Sequence, residues 1–137
     1  MSNPDAFTHA TAAATAIGRA VLEHLNAHAP SGPEGDEALW AAHWSPGFES
    51  IEASGESWKG IDAVREKCRQ WYDQFTVHDF SAEGPYVTSD GFAMKYTMEI
   101  EGKQGMPPRM KTSEIAVYTV ADGKVIREQF FNLPMDG

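Results

Sequence analysis

The stretch EIAVYTVADGKVIREQFF, residues 114–131, alternates apolar and polar side chains on both sides of a turn sequence. Alternation with a period of two predicts two β-strands, and Ala121-Asp122-Gly123, which ends in glycine, predicts a three-residue hairpin turn between them. Glu114 and Glu128 occupy positions at which a half-buried hairpin normally carries apolar residues. The surroundings of these two carboxylates are therefore the central question that the sequence raises.

The hairpin register predicts that the two glutamates share one face of the sheet. A three-residue turn pairs Val120 with Lys124, and it follows that Ala116 lies opposite Glu128 and Glu114 opposite Phe130. Cross-strand partners point to the same side, so Glu114 and Glu128 become diagonal neighbours about 7 Å apart. The predicted face consists of Glu114, Ala116, Tyr118, Ile126, Glu128 and Phe130, and the opposite face of Ile115, Val117, Val125 and Phe131. A bulge or a slip of one residue would exchange the two faces.

The preceding strand, FAMKYTMEIE at residues 92–101, also alternates strictly. An even register across the loop GKQGMPP, residues 102–108, adds methionine and aromatic side chains to the glutamate face, namely Met94, Tyr96, Met98 and Met110, together with Thr112. Buried carboxylates need partners, so an apolar wall around two acids resembles a small-molecule pocket more than a packed core. In the alternative interpretation the glutamates are solvated or paired with basic residues, and this face is a dimer interface or the outside.

The chain before residue 76 is predicted to be mainly helical. Apolar residues recur at helical spacing from Ala10 to Ala29 and again from Ile61 to Phe75, and a short helix is predicted to follow a cap at Asp36 and to stop at residues 45–47. Residues 48–53 and 77–84 are predicted as strands, and residues 55–60 as a turn. The sequence thus predicts one α+β domain over residues 1–137, with residues 1–9 as a flexible lead-in.

Composition excludes several classes of partner. The 137 residues have a formal charge of −9, with 20 acidic and 11 basic side chains, which disfavours nucleic acid and anionic membranes as partners. The single cysteine, Cys68, favours a cytoplasmic location. His24 and His28 have a spacing that can ligate zinc, but no third ligand is visible, and no nucleotide-binding motif is present. We therefore expect no metal and no cofactor.

Several stretches resemble the nuclear-transport-factor-2-like superfamily, and within it the SnoaL-like domains. They are HWSPGFESIEA (43–53), WKGIDAVREKCRQWY (58–72), VHDFSAEGPYV (77–87), GFAMKYTME (91–99) and MKTSEIAVYTVADGKVIREQFF (110–131). The resemblance implies three N-terminal helices packed on a strongly curved antiparallel sheet, which together form a conical barrel with an internal pocket, often in a homodimer.

The resemblance also implies candidate functions. Members of the superfamily act as isomerases, polyketide cyclases or dehydratases without a cofactor, or they perform no catalysis. Glu52 is the nearest match to the general base of ketosteroid isomerases, although the first helix has no tyrosine to match their oxyanion donor. We expect an acid–base enzyme acting on a small hydrophobic carbonyl compound; the alternative is a non-catalytic ligand-binding or dimeric assembly module.

The candidate site residues follow from these interpretations. The candidate acids and bases are Glu52, Glu114, Glu128 and His78, the last because its parity in the first strand matches that of Phe80. The candidate ligand-binding residues are His43, Trp44, Trp58, Trp71, Tyr72, Met94, Tyr96, Met98, Met110, Tyr118 and Phe130.

Overall fold

The computed structural model describes the chain over residues 4–29 and 32–134, and its side chains from residue 11 onward. The helices are α1 (Pro4–Ala27), α2 (Pro33–His43) and α3 (Ile61–Gln74), and the strands are β1 (Trp44–Ile51), β2 (Ser57–Lys59), β3 (Phe75–Val87), β4 (Gly91–Gly102), β5 (Met110–Ala121) and β6 (Lys124–Asn132). The α+β fold with three helices is confirmed; α1 and α2 precede the strands, and α3 lies between β2 and β3. Residues 1–3 of the predicted lead-in lie outside the described residues, and α1 begins at Pro4.

The six strands form one sheet in the order β2-β1-β6-β5-β4-β3. All neighbouring strands are antiparallel except β1 and β6, which run parallel. The sheet is therefore mixed and open at its edges, whereas the sequence predicted an antiparallel barrel. The parallel pair aligns Ser50 directly with Glu128, and this register is decisive for the site.

Three predicted boundaries around the second helix are wrong. Helix α2 begins at Pro33 rather than after Asp36, because proline is favoured at the first helical position, where its missing N–H costs nothing. Residues 45–47 were predicted as the stop between the second helix and the first strand, but they already belong to β1, which begins at Trp44. Residues 57–59, predicted as part of a turn, form β2 and pair with β1.

The hairpin between β5 and β6 has a different turn from the predicted one. Ala121 pairs with Lys124, and the turn residues Asp122 and Gly123 both have positive φ, at 52° and 75°. This is a two-residue turn, whose twist matches that of the flanking strands. A β-bulge then shifts the register between Thr119 and Val120, so that Tyr118 pairs with Glu128 and Glu114 with Asn132.

The bulge changes which side chains face inward near the turn. Val125, predicted on the outer face, is fully buried, whereas Ile126, predicted on the inner face, is exposed. The remaining inner-face residues of the hairpin lie on the predicted side, and β4 has the predicted even register, with Tyr96 opposite Glu114. Two residues were therefore misplaced, while the glutamates kept their common face.

The core lies between the inner face of the sheet and the three helices. Its buried members are Val21, Leu39, Trp40, Trp44, Phe48, Val64, Phe92, Met94, Tyr96, Ala116, Tyr118 and Val125. Helix α1 packs mainly on β3, and α3 packs on β1 and β2. Within residues 4–29 and 32–134 no helix is long and apolar enough to cross a bilayer.

Candidate functional site

A cavity of about 610 Å³ opens between the helices and the inner face of the sheet. Its size suits a small organic molecule. Aromatic and aliphatic side chains form most of the wall, and a few polar groups converge inside it. The lining residues are Leu25, Asp36, Leu39, Trp40, Trp44, Glu52, Glu56, Trp58, Lys67, Cys68, Gln70, Trp71, Tyr72, Gln74, Phe80, Tyr96, Met98, Glu114, Tyr118, Glu128 and Phe130.

Glu128 lies at the base of the cavity with two fixed donors. Trp44 Nε1 donates to its Oε1 at 2.8 Å, and Ser50 Oγ donates to its Oε2 at 2.8 Å. Only 6% of Glu128 is exposed, and burial raises the pKa of its carboxyl, while the two hydrogen bonds oppose the rise. Both carboxyl oxygens are thus held by neutral donors, which fix the orientation of the group.

Lys67 connects Glu128 with Glu52. Its Nζ donates to Ser50 Oγ at 3.1 Å and to Glu52 Oε1 at 2.6 Å. The same ammonium lies 4.9 Å from the ring centroid of Trp58 and 5.8 Å from that of Phe130, distances at which a cation is attracted to an aromatic face. Glu52 therefore has a cationic partner in Lys67.

Glu114 differs from both other glutamates, since among the described residues none donates a hydrogen bond to its carboxyl. The pKa of Glu114 is raised to about 7, chiefly by burial and also by the negative charges of Glu52 and Glu128, whereas Lys67 opposes the rise. A carboxyl with this pKa exchanges protons readily near neutral pH. The predicted pairing of Glu114 with Glu128 as diagonal neighbours is wrong, because four residues along β5, about 13 Å of strand, separate Glu114 from the partner of Glu128.

Two tyrosine hydroxyls meet in the cavity wall, and the charges of Glu128 and then Glu114 both act on them. Tyr96 lies directly opposite Glu114 across β4 and β5, and its hydroxyl forms a 2.5 Å hydrogen bond with that of Tyr118. Burial raises the pKa of both hydroxyls above the ordinary range, so both stay protonated. The bond between them uses one hydroxyl hydrogen, and the other remains able to donate to a ligand oxygen.

A further acid lies where α2 meets α3. Tyr72 OH donates to Asp36 Oδ2 at 2.8 Å, and burial raises the pKa of Asp36 to about 6 although this bond opposes the rise. Asp36 and Tyr72 both line the cavity. The sequence indicated Asp36 only as a helix cap.

The structure brings together most of the predicted site residues. Of the candidate acids and bases, Glu52, Glu114 and Glu128 line the cavity, and of the ligand-binding candidates, Trp44, Trp58, Trp71, Tyr72, Tyr96, Met98, Tyr118 and Phe130 do so. His78 instead lies 2.8 Å from Glu101 Oε1, away from the cavity lining. Met94 is buried in the core, and His43 and Met110 also lie outside the lining.

Lys67 was missed by the sequence interpretation. It lies in α3 one residue before Cys68, beside the apolar stripe, so its position indicated a solvated helix residue. Its proximity to Glu52 depends on how α3 packs on β1, which a single sequence does not reveal. Cys68, predicted as a core residue, lines the cavity, and burial raises the pKa of its thiol to about 12.

The described residues contain no group of three or more histidine, cysteine, aspartate or glutamate side chains that could hold a metal ion. His24, one of the two histidines considered for zinc, bonds through Nε2 to the carbonyl of Gly35 at 3.0 Å and stacks on His28 at 4.3 Å between ring centroids. Those contacts explain both histidines structurally, at the C-terminal end of α1 where it meets α2.

Solved structures from several bacteria are similar to this chain. A proposed SnoaL-like polyketide cyclase from Mesorhizobium loti is 29% identical, with 85% of this chain and 97% of that chain covered and a TM-score of 0.72. A second proposed SnoaL-like polyketide cyclase, from Jannaschia sp., is 21% identical over 84% and 86% of the two chains, with a TM-score of 0.62.

A third similar structure has a ketosteroid isomerase-like fold. This hypothetical protein from Catenulispora acidiphila, in complex with trimethylamine, is 12% identical over 88% and 84% of the two chains, with a TM-score of 0.61. None of the curated proteins matches the sequence. The sequence model of the SnoaL-like domain matches residues 40–132, which include β1 to β6 and every glutamate of the cavity, and the chain therefore belongs to the SnoaL-like domain family.

Proposed function

We propose that the cavity catalyses proton transfer on a small hydrophobic carbonyl compound without a cofactor, as an isomerase, cyclase or dehydratase. The observation that carries this proposal is the Glu114 carboxyl. It is half-buried in the cavity wall, it has no hydrogen-bond donor among the described residues, and its pKa is raised to about 7. Desolvation of a carboxyl without a compensating donor costs stability. A catalytic role would explain why a carboxyl is present at this position despite that cost.

The reaction needs a base beside an oxygen-binding donor. Ionised Glu114 removes a proton from the carbon next to the carbonyl group; the C–H electron pair forms a carbon–carbon double bond, and the π pair of the carbonyl moves to its oxygen, which gives an enolate. The hydroxyl pair of Tyr96 and Tyr118 donates its free hydrogen to this oxygen. Return of the proton from Glu114 to another carbon isomerises the substrate, whereas attack of the enolate on a second carbonyl closes a ring.

Deuterium exchange at the carbon next to the carbonyl tests this proposal without knowledge of the natural substrate. A panel of steroid-like and polyketide-like ketones is incubated with the protein in D₂O, and exchange is followed by NMR. We expect faster exchange of at least one ketone, and a loss of about 10²- to 10⁴-fold in Glu114→Gln. The matched control is Glu83→Gln, an exposed strand glutamate of β3. Unchanged exchange in Glu114→Gln would exclude this role.

The aromatic wall also supports a second candidate, a protein that binds a hydrophobic ligand without chemistry. All four tryptophans of the chain line the cavity, which is more apolar surface than proton transfer alone requires. In that case ketones quench tryptophan fluorescence, but none exchanges deuterium faster than in buffer.

We further propose that the protein is a cytoplasmic homodimer. The dimer forms through the outer face of the sheet, where Val117 and Phe131 are 40% and 46% exposed. Apolar side chains grouped on one face are favourably covered by a second copy. The cytoplasmic location rests on the single free thiol of Cys68.

A further inference from the structure

The charges that line the cavity are strongly unbalanced. Five carboxyl side chains face it, whereas Lys67 is the one basic side chain among the described lining residues. Lys67 is already engaged with Glu52 at 2.6 Å. The carboxyls of Glu114, Asp36 and Glu128 form no ion pair with a described residue, and burial raises the pKa of all three. An anionic ligand would meet like charges, while a cationic ligand would supply the missing countercharge.

The wall itself already binds an ammonium group. The Lys67 ammonium lies over the faces of Trp58 and Phe130 at 4.9 Å and 5.8 Å from their centroids. Trp71 and Phe80 contribute further aromatic surface to the same cavity lining. Aromatic faces combined with carboxylates are the surroundings that offset the desolvation of an ammonium ion. A neutral hydrophobic ligand would use the rings but leave the carboxyls of Glu114, Asp36 and Glu128 without a countercharge.

We propose that the substrate for the function proposed above, on which this inference rests, is a carbonyl compound that carries a protonated or quaternary ammonium group. The ammonium group lies between the aromatic wall and the Glu114 side of the cavity, and the carbonyl oxygen lies at the hydroxyl pair of Tyr96 and Tyr118. The cation takes the place of the absent countercharge, and the aromatic faces take the place of its water shell.

Three ligands of nearly equal shape test this proposal, and none requires turnover. Phenyltrimethylammonium carries the cation, tert-butylbenzene is its neutral isostere, and benzenesulfonate is the anionic counterpart. Binding is measured at pH 8 by quenching of tryptophan fluorescence, which reports on the cavity because all four tryptophans line it. We expect the cation to bind about tenfold or more tightly than the neutral isostere, and benzenesulfonate to bind most weakly.

Two variants locate the preference within the cavity. Glu114→Gln removes one inward carboxyl and is expected to weaken binding of the cation about tenfold while changing binding of tert-butylbenzene less than about twofold. Glu83→Gln is the matched control, because Glu83 is exposed on β3 and is not among the residues that line the cavity. It is expected to leave the preference for the cation nearly unchanged. Thermal melts verify that both variants are folded.

The outcomes separate the ligand class from the chemistry. Equal or tighter binding of the neutral isostere or of benzenesulfonate would overturn the proposal, as would the absence of cation binding at millimolar concentration. A preference for the cation that persists in Glu114→Gln would overturn the placement at Glu114. If the cation is preferred but no ketone exchanges deuterium, the ligand class stands and the catalytic function fails. If neutral ketones exchange deuterium but the cation is not preferred, the catalytic function stands and the ligand class fails.

Discussion

The raised pKa of Glu114 results from its position in the cavity wall, opposite Tyr96. The same side chain at an exposed strand position would ionise near its ordinary pKa. Burial is the largest cause of the shift of its pKa to about 7. Folding thus places the carboxyl in the half-buried wall of the cavity, where none of the described residues donates a hydrogen bond to it. The native state binds this proton more tightly than the unfolded chain does, which links the stability of the fold to pH.

The first prediction concerns this linkage. The folded pKa of Glu114 is raised, so its contribution to stability is fully present below the unfolded pKa, near 4.5, and is lost as pH rises to about 7. Glu114→Gln removes the loss and is expected to be more stable than the wild type at pH 8, by up to about 3 kcal/mol, but not at pH 4. Chemical unfolding at both pH values measures the difference, with Glu83→Gln as control. Equal effects at the two pH values would contradict the assigned environment.

At this scale the sequence predicted the acids better than their partners. Glu114 and Glu128 were visible because they interrupt an apolar alternation, and Glu52 because of the family resemblance. Lys67 was not visible, because a lysine in a helix normally indicates solvent. Tertiary packing creates the contacts that distinguish the three glutamates. Glu128 has two neutral donors, Glu52 has an ammonium partner, and Glu114 has no donor among the described residues.

The hairpin of β5 and β6 shows why elements were predicted correctly while their register was not. The Asp122-Gly123 turn alone would place Glu128 opposite Val117 and turn it to the outer face. The bulge adds one residue to β6 and returns Glu128 to the inner face, opposite Tyr118. The predicted three-residue turn placed Glu128 on the same inner face, but it paired Glu128 with Ala116 instead of Tyr118, a register two residues away. Parity therefore followed from the sequence, but the distance between the glutamates did not.

The parallel pair of β1 and β6 carries the second prediction. Ser50 is fully buried, donates to Glu128 and accepts a hydrogen bond from Lys67. Ser50→Ala leaves one carboxylate oxygen without its donor, and we expect a loss of about 1–3 kcal/mol in the free energy of unfolding. Because the pKa of Glu128 then rises further, the loss is larger at pH 8 than at pH 5. Urea unfolding measures it, with the exposed Ser81→Ala as control; a loss no greater than that of the control would contradict the role of Ser50.

The outer face of the sheet determines the third prediction, at the scale of the whole molecule. Val117 and Phe131 are exposed on adjacent strands, and a second copy is proposed to cover them. We expect the wild type to sediment as a dimer and the Val117→Lys and Phe131→Lys double variant as a monomer. Met106→Lys, at an exposed methionine in the loop after β4, is the control and should remain dimeric. A monomeric wild type at micromolar concentration would exclude the proposed interface.

The cavity as a whole combines a base, an oxygen-binding donor and an apolar wall, and the pH profile of deuterium exchange tests their combined action most directly. Ionised Glu114 is the proposed base, so the exchange rate of a responsive ketone is expected to rise with pH and level off above an inflection near the pKa of Glu114, about 7. In Glu114→Gln the inflection and most of the rate should disappear. An inflection that persists in Glu114→Gln, or a wild-type rate equal to that of buffer for every ketone, would contradict the account.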